Sequence, residues 1–339
     1  MAIRVMQMGL GPIGAAVARQ LLERPGFEIT SAVDIDPEKV GKDLAEVCGL
    51  AEPSGVIVET NLTAVLSRGE ADVATHCTSS SLEVIVPQLE AVLDAGLPVV
   101  STTEELSFPW YPQKDLAAKI DAMAKEAGLA VVGTGVNPGY AMDTLPTVLT
   151  GACERVDSIT VDRVQDASIR RLPFQQKIGA GLEPSVFRER ADNLEIRHVG
   201  LTESVAMIAA SLGWEIESIT DVIEPKIAEE RVASEFLTVE AGQAAGLIQD
   251  AVGYRNGEPV IRLHMEAYLG SPESYDAVRI EGSPSLYSRI EGGIHGDIAT
   301  ASVTVNTIPR VLAAPPGLQT MRDLPIPSWW SGASAPTGA

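Results

Sequence analysis

Cysteine is scarce in this chain of 339 residues: Cys48, Cys77 and Cys153 are the only three. They are odd in number and far apart, so they build neither a disulfide framework nor a zinc spacing, and a reducing compartment is expected. The four histidines, His76, His198, His264 and His295, form no His-x-His or His-x3-His pair, which leaves a metal site without support. Basic side chains are outnumbered, 25 Lys and Arg against 46 Asp and Glu, for a formal net charge of −21. Such a surface argues against nucleic acid and anionic membrane as partners. No apolar run approaches the ~18–20 residues of a membrane span, and strand-like sequence begins at once, so no signal peptide and a cytoplasmic protein are expected. Aromatics supply only 4% of the chain, yet apolar residues supply 45%, enough for two well-packed domains at this length.

What is present starts at the N-terminus. Ala2-Ile3-Arg4-Val5-Met6-Gln7-Met8 reads as a short buried strand leading into Gly9-Leu10-Gly11-Pro12-Ile13-Gly14, followed by the helix-forming 15–22. Glycines at this spacing give a tight turn, a close approach of backbone to a pyrophosphate, and close helix–strand packing, with helix amides aimed at the phosphates. A second strand, 27–33, delivers Asp34 twenty positions after Gly14. A carboxylate there accepts hydrogen bonds from ribose hydroxyls and repels a 2′-phosphate, so the cofactor expected is NAD in preference to NADP. Lys39 and Lys42 lie near enough to keep NADP open.

Strand and helix patterns alternate through the first 135 residues or so. Strands are expected near 56–58, 71–77, 98–102 and 129–133, and helices near 62–68, 82–95 and 111–127, in a doubly wound parallel α/β (Rossmann) domain over 1–140. Ligands bind at the carboxyl ends of such strands, where Thr78-Ser79-Ser80, Thr102-Thr103-Glu104 and Gly135-Val136-Asn137 are polar. From 141 to 296 the texture changes to an α+β domain with a large mixed or antiparallel sheet: strands near 156–165, 216–223, 235–241, 247–254, 260–268 and 276–280, a helix near 201–212, and a glycine-containing loop at 173–181. A helix from about 298 opens a segment, 297–327, expected to pack back toward the first domain, and 331–339 is expected to be a loose tail.

The chain resembles one family along its length. The residues that carry this are Gly9–Gly14, Val33-Asp34-Ile35-Asp36-Pro37, Ser101-Thr102-Thr103-Glu104-Glu105-Leu106, Gly135-Val136-Asn137-Pro138-Gly139, Arg163-Val164-Gln165-Asp166, Arg197-His198-Val199-Gly200-Leu201 and Gly293-Ile294-His295-Gly296-Asp297. The first half is similar to the dihydrodipicolinate reductase type of dinucleotide-binding domain. The whole resembles the branch containing 2,4-diaminopentanoate dehydrogenase and the native NAD(P)-dependent amine dehydrogenases. The resemblance implies reversible conversion of an amine to a ketone or aldehyde plus ammonia, with Glu104 as catalytic glutamate.

That chemistry needs a group to take the proton of the amine nitrogen and later to activate water, and one carboxylate beside the nicotinamide can serve both steps. Glu104 suits the role by its strand-end position; a solvated cap is its other reading, and Glu105 suits the cap better. Asn137 either orients nicotinamide or substrate, or is an ordinary turn residue. The expected cofactor contacts are Gly9, Gly11, Pro12, Ile13, Gly14, Asp34, Thr78, Ser79, Ser80 and Asn137.

Arg163 and Gln165 share a strand face, which makes them candidates for the substrate pocket. Arg163 suits a substrate carboxylate but can instead pair with Asp162 or Asp166. His198, His264 and His295 are further pocket candidates, against structural roles for each, and Arg170-Arg171 reads as a solvated loop or an interface. A homodimer is expected by analogy with the family. Cys77 as a nucleophile is rejected, since nothing nearby lowers its pKa. The remaining alternatives are a 2,4-diaminopentanoate dehydrogenase acting on a diamino acid, an imine reductase resembling dihydrodipicolinate reductase, and a non-catalytic dinucleotide sensor.

Overall fold

The computed structural model describes residues 2–332. Contacts divide the chain into two units: Met1–Tyr140 together with the residues from His295 onward, and Ala141–Ile294.

The first unit runs β1 (Ile3–Met8), α1 (Pro12–Glu23), β2 (Phe27–Val33), α2 (Leu44–Val47), β3 (Val58–Glu59), α3 (Leu62–Leu66), β4 (Val73–His76), α4 (Leu82–Asp94), β5 (Val99–Ser101), α5 (Lys114–Ala127) and β6 (Ala130–Gly133). The strands pair in the order β3-β2-β1-β4-β5-β6, all parallel. Strand order reverses between β1 and β4, and at such a switch point the loops part and leave a crevice. Both sheet faces are covered, which is why β4, β5 and β6 are buried at every position. On one side Met6 and Met8 join Leu82, Ile85 and Leu89 of α4 and Ile120 of α5 in a single apolar cluster. Each such fully buried side chain contributes roughly 1.5–3 kcal/mol.

The second unit comprises α6 (Thr144–Thr150), β7 (Arg155–Asp166), α7 (Leu172–Lys177), α8 (Pro184–Asp192), α9 (Leu201–Ser211), β8 (Ser218–Ile227), β9 (Val232–Ala233), β10 (Thr238–Val239), β11 (Ala244–Arg255), β12 (Glu258–Tyr268), β13 (Tyr275–Ser283) and β14 (Leu286–Glu291). Its main sheet has the order β14-β13-β7-β12-β11-β8 and is mixed, because β7 and β12 pair parallel while every other pair is antiparallel. Helix α9 packs across β8, β11 and β12. Gly253 of β11 marks the contact: a Cβ there would lie 2.7 Å from Val205 of α9. The chain then returns to the first unit as α10 (Gly296–Val311) and β15 (Gly317–Gln319). Helix α10 packs on α1, β5 and β6, on the side of the first sheet away from α4 and α5, and β15 adds a seventh parallel strand beside β6.

Several expectations change. The segment 173–181 holds a helix, α7, begun by Leu172-Pro173, where proline at the first turn forfeits no helical hydrogen bond. The expected strand at 235–241 reduces to β10, paired only with β9 in a two-residue ribbon. Neither β14 nor β15 was foreseen; a three-residue strand such as β15 is too short to show a period, and its pairing partner lies far back in the chain. The expected tail begins with order: a Cβ on Gly332 would lie 1.8 Å from the Pro25 carbonyl oxygen, just past Trp330, which precedes the tail and stacks edge-on against Phe27 at 5.1 Å. The remainder of that expected tail, 333–339, lies outside the described residues.

Candidate active site

The three glycines after β1 do different work. Gly9 has φ +83°, and a Cβ there would lie 2.5 Å from the Cys77 carbonyl oxygen. A Cβ on Gly14 would meet the Gly9 oxygen at 2.0 Å, so α1 can lie this close to the turn only with glycine at position 14. Gly11 has nothing within 4 Å of the same point, which leaves an open approach to backbone. The turn is braced from inside the strand: Gln7, fully buried, donates from Nε2 to the Gly9 oxygen at 2.8 Å and accepts from the Thr75 hydroxyl at 2.7 Å. Helix α1 starts at Pro12 with no side-chain cap on Gly11 and no acid in its first turn; the first intrahelical bond is Ala15 N–H to the Gly11 oxygen at 2.8 Å. The amides of Ile13 and Gly14 thus stand at the positive end of a helix beside the space over Gly11. Those residues fit a pyrophosphate.

Asp34 ends β2 beside that turn. Its Oδ2 accepts from Leu10 N–H at 2.5 Å and its Oδ1 from Asp36 N–H at 2.8 Å, which fixes the carboxylate while one lone pair of each oxygen remains. Ile35, next to it, is 88% exposed. The two lysines are already engaged by acids: Lys39 Nζ is 2.9 Å from Asp36 and Lys42 Nζ is 3.5 Å from Glu46. The hydrogen bond to Asp36 raises the Lys39 pKa above its ordinary value.

From β4 to β5 the strand ends are joined by a chain of side-chain hydrogen bonds. His76, fully buried, has Nδ1 3.0 Å from Ser101 Oγ and Nε2 2.7 Å from Gln88 Oε1 and 3.0 Å from Thr78 Oγ1. Ser101 Oγ lies 3.0 Å from Thr103 Oγ1, which donates to the Ser79 carbonyl at 2.7 Å. Burial drives the His76 pKa down to about 4, so the ring is neutral. Directly after Thr103 the chain makes a single 3-10 turn, Glu104–Leu106, seated on Gly133 at the end of β6, where a Cβ would lie 2.5 Å from the Leu106 backbone. Glu105 caps α4: its Oε2 accepts from Leu82 N–H at 2.7 Å and from Gln113 Nε2 at 2.8 Å. Glu105 N–H in turn donates to the Ser80 oxygen at 3.4 Å. Ser79 Oγ accepts from Ser81 N–H at 3.1 Å. Burial pushes the Cys77 thiol up to about 11, which keeps it from being a thiolate.

After β6 comes the Gly135–Gly139 turn. Asn137 is buried, and a Cβ on Gly139 (φ +123°) would lie 2.4 Å from Gly135 N. Thr300 of α10 accepts from Val136 N–H at 3.3 Å, so the returning helix supports this turn. His295 is exposed and serves as the N-cap of that helix, its Nδ1 accepting from Ile298 N–H at 3.5 Å.

In the second unit the register sorts the pocket candidates by face. Arg163 pairs across the sheet with Met265 and so shares a face with Gln165 and Gln249, the face that α9 covers. Gln249 holds the backbone of His198 from both sides, accepting its N–H at 2.8 Å and donating to its oxygen at 3.0 Å. His264 pairs with Asp162 and Asp250 and points to the opposite, uncovered face, so it does not join Arg163, Gln165 and Gln249. There its Nδ1 is 2.7 Å from Asp250 and its Nε2 3.1 Å from Glu266, which is also bridged by Lys226 at 2.9 Å.

Arg163 meets neither Asp162 nor Asp166. Its Nη1 donates to Asp276 at 2.5 Å, both side chains are 2% exposed, and its Nη2 donates to the Ile294 oxygen at 2.8 Å. Gln165 donates to the same oxygen at 3.4 Å and accepts from Arg170 at 3.2 Å. Arg170 is buried and lies over Phe174 at 4.1 Å, which departs from the solvated-loop alternative for Arg170-Arg171 and leaves the interface alternative open. Asp276 had no signal in the sequence, being remote from Arg163. Gln7 had one, a lone amide inside an apolar strand, and His76 had a similar one.

Residues 3–133 match the model of the dihydrodipicolinate reductase N-terminus, and residues 140–337 match that of the 2,4-diaminopentanoate dehydrogenase C-terminal domain. The chain belongs to the 2,4-diaminopentanoate dehydrogenase family. A 2,4-diaminopentanoate dehydrogenase of Acetoanaerobium sticklandii is 32% identical over 335 residues, with 96% of this chain and 94% of that relative covered. An amine dehydrogenase of Streptomyces virginiae is 23% identical, with 96% of each covered. Among solved structures, the amine dehydrogenase from Mycobacterium smegmatis superposes with a TM-score of 0.86 at 26% identity and 98% coverage of both chains. The family thus joins a Rossmann unit with a mixed-sheet unit, as this chain does. Among the described residues no group of three or more His, Cys, Asp or Glu is arranged to hold a metal, and no helix is long and apolar enough to cross a membrane.

Proposed function

We propose that this chain is an NAD-dependent amine dehydrogenase: amine, NAD and water give a ketone or aldehyde, NADH and ammonium. The observation that carries this reading is the tie from Glu104 back to the glycine turn. Thr103, directly before Glu104, is bonded to Ser79, two residues after Cys77, against which Gly9 packs. The carboxylate therefore follows the strand end where a nicotinamide belongs when its pyrophosphate lies over Gly11. The family membership agrees with that chemistry.

When bound, the nicotinamide supplies the hydride acceptor. Glu104 takes the proton of the bound ammonium group, so that the nitrogen lone pair can expel hydride from its carbon. After releasing that proton to solvent, the carboxylate takes one from water as that water adds to the iminium carbon, and returns it to the nitrogen as the C–N bond breaks and ammonia leaves. In the reverse direction the same carboxylate holds ammonia. Gly9, Gly11, Pro12, Ile13, Gly14, Thr78, Ser79, Ser80 and Asn137 are the proposed cofactor contacts. NAD is favoured over NADP because Asp34 stands beside Leu10 and because Lys39 and Lys42 are engaged by Asp36 and Glu46.

Gln165 and His198 are proposed substrate contacts. Arg163 is better described as positioning Ile294, His295 as capping α10, and His264 as belonging to the uncovered face. A diamino acid substrate is the second reading, favoured by the relative from Acetoanaerobium sticklandii. It requires a carboxylate-binding cation other than Arg163, which Asp276 already neutralises. The uncovered sheet face, with Val222 53% and Tyr287 54% exposed, is the proposed homodimer surface, and the three free thiols fit a reducing cytoplasm.

The test is a screen of aliphatic amines and diamino acids for reduction of NAD and NADP, with Glu104→Gln as control. Removing a general acid–base costs about 10²–10⁴ in rate. Amine oxidation by the Gln variant at the wild-type rate sinks the assignment.

A further inference from the structure

We infer that His76 is a positioning residue for the amine-oxidising step, acting on Glu104 through Ser101 and Thr103; this rests on the reading of Glu104 as catalytic. A fully buried histidine at the end of a central parallel strand is costly unless both ring nitrogens have partners. Here both nitrogens are used, and they lead in two directions. On one side Nε2 faces Gln88 Oε1 and Thr78 Oγ1, which fastens the start of the loop after β4 to α4. Thr78 also donates to Gln88 Oε1 at 2.6 Å, so that oxygen is an acceptor and the ring proton sits on Nε2.

Nδ1 is then an acceptor and lies 3.0 Å from Ser101 Oγ, whose single hydroxyl proton serves Nδ1 and Thr103 Oγ1, also at 3.0 Å, as alternative acceptors. Ser101 Oγ in turn accepts from Thr103 N–H at 3.1 Å, and the Thr103 hydroxyl closes the circuit on the Ser79 carbonyl at 2.7 Å. Thr103 is buried, so the backbone that bears Glu104 has its entry angle set by this ring of bonds. The circuit touches no atom of the glycine turn, which is braced separately by Gln7. Ser101 and Thr103 are themselves not among the proposed cofactor contacts, so a change at Ser101 reads Glu104 placement apart from cofactor binding.

Three variants read this out. Ser101→Ala removes the central oxygen at minimal volume, His76→Leu removes both ring contacts, and His76→Asn restores a polar atom at the place of Nδ1. Steady-state kinetics with the best amine are combined with NADH titration by fluorescence and with thermal unfolding. Misplacing a reacting group by about 1 Å costs on the order of 100-fold. We expect Ser101→Ala to lose about tenfold or more in kcat while NADH affinity stays within about threefold, His76→Leu to lose at least as much in kcat, and His76→Asn to recover most of that loss. Full kcat in Ser101→Ala, or equal losses in His76→Asn and His76→Leu, overturns the positioning role and leaves the amine dehydrogenase reading intact. A wild-type protein that binds NADH and oxidises no amine overturns both.

Discussion

Arg163 and Asp276 face each other on adjacent antiparallel strands and form an ion pair of 2.5 Å with both side chains 2% exposed. The second oxygen of Asp276 accepts from Ile294 N–H at 2.6 Å while Arg163 donates to the Ile294 oxygen, so the pair holds both backbone polar groups of one residue. A buried pair of this kind holds a shape more than it adds net stability, because desolvation offsets most of the Coulombic gain.

Removing one partner leaves the other charge buried and alone. Asp276→Ala or Arg163→Met should each destabilise the chain by about 3–5 kcal/mol, whereas the double variant Arg163→Met with Asp276→Leu should recover a large part of that. Chemical denaturation of the three proteins checks it, and additive losses would contradict the pairing.

Gly11 and Gly14 should fail in opposite ways. Gly11→Ala has room for its Cβ and should unfold near the wild-type temperature, yet bind NAD at least about tenfold more weakly, since the added carbon occupies the phosphate approach. Gly14→Ala should lose stability by about 1–3 kcal/mol, the ordinary cost of overpacking, because its Cβ meets the Gly9 carbonyl. Parallel NAD titration and thermal unfolding separate the two.

Coenzyme choice should respond to Asp36 as well as to Asp34. Asp36→Ala releases Lys39 from its 2.9 Å partner and should raise kcat/KM with NADP severalfold while leaving NAD little changed. Combining it with Asp34→Ser should invert the preference. A comparison of kcat/KM for both coenzymes across the single and double variants decides this.

His264 should make stability depend on pH. Burial opposes its charge, but the hydrogen bonds the ring makes to Asp250 and Glu266 outweigh burial and raise its pKa above the ordinary 6.5. Its stabilising contribution is thus full below pH 6.5 and is lost as pH rises through the raised folded value. With the ring 30% exposed, solvent screening holds that contribution to about 1 kcal/mol or less. The unfolding temperature of His264→Gln should lie further below wild type at pH 6 than at pH 9; a constant gap would contradict the raised pKa.

Local reading reached much of the first unit. Strand β2 occupies 27–33 and delivers Asp34 as expected, and the glycine spacing led to a turn whose members have unlike surroundings. The helix at 82–94 ends one residue before its expected stop, because its apolar stripe and the glycine at position 96 are both local signals. Elements with no period of their own were not legible: β15 is three residues long and exists only because β6 offers it an edge.

Spacing along the chain placed Arg163 and Gln165 on one face, since side chains two apart on a strand always share it. Which acid would meet Arg163 was beyond such reading: Asp162 and Asp166 are its neighbours in sequence, and Asp276 became its partner through antiparallel pairing of β13 with β7. His264 likewise looked equivalent to Arg163 until the register of β7 and β12 put it beside Asp162, on the other face. Local periodicity follows from backbone geometry and is written in adjacent residues. Register, and with it the partners of every buried charge, follows from long-range contacts that form only when the sheet closes.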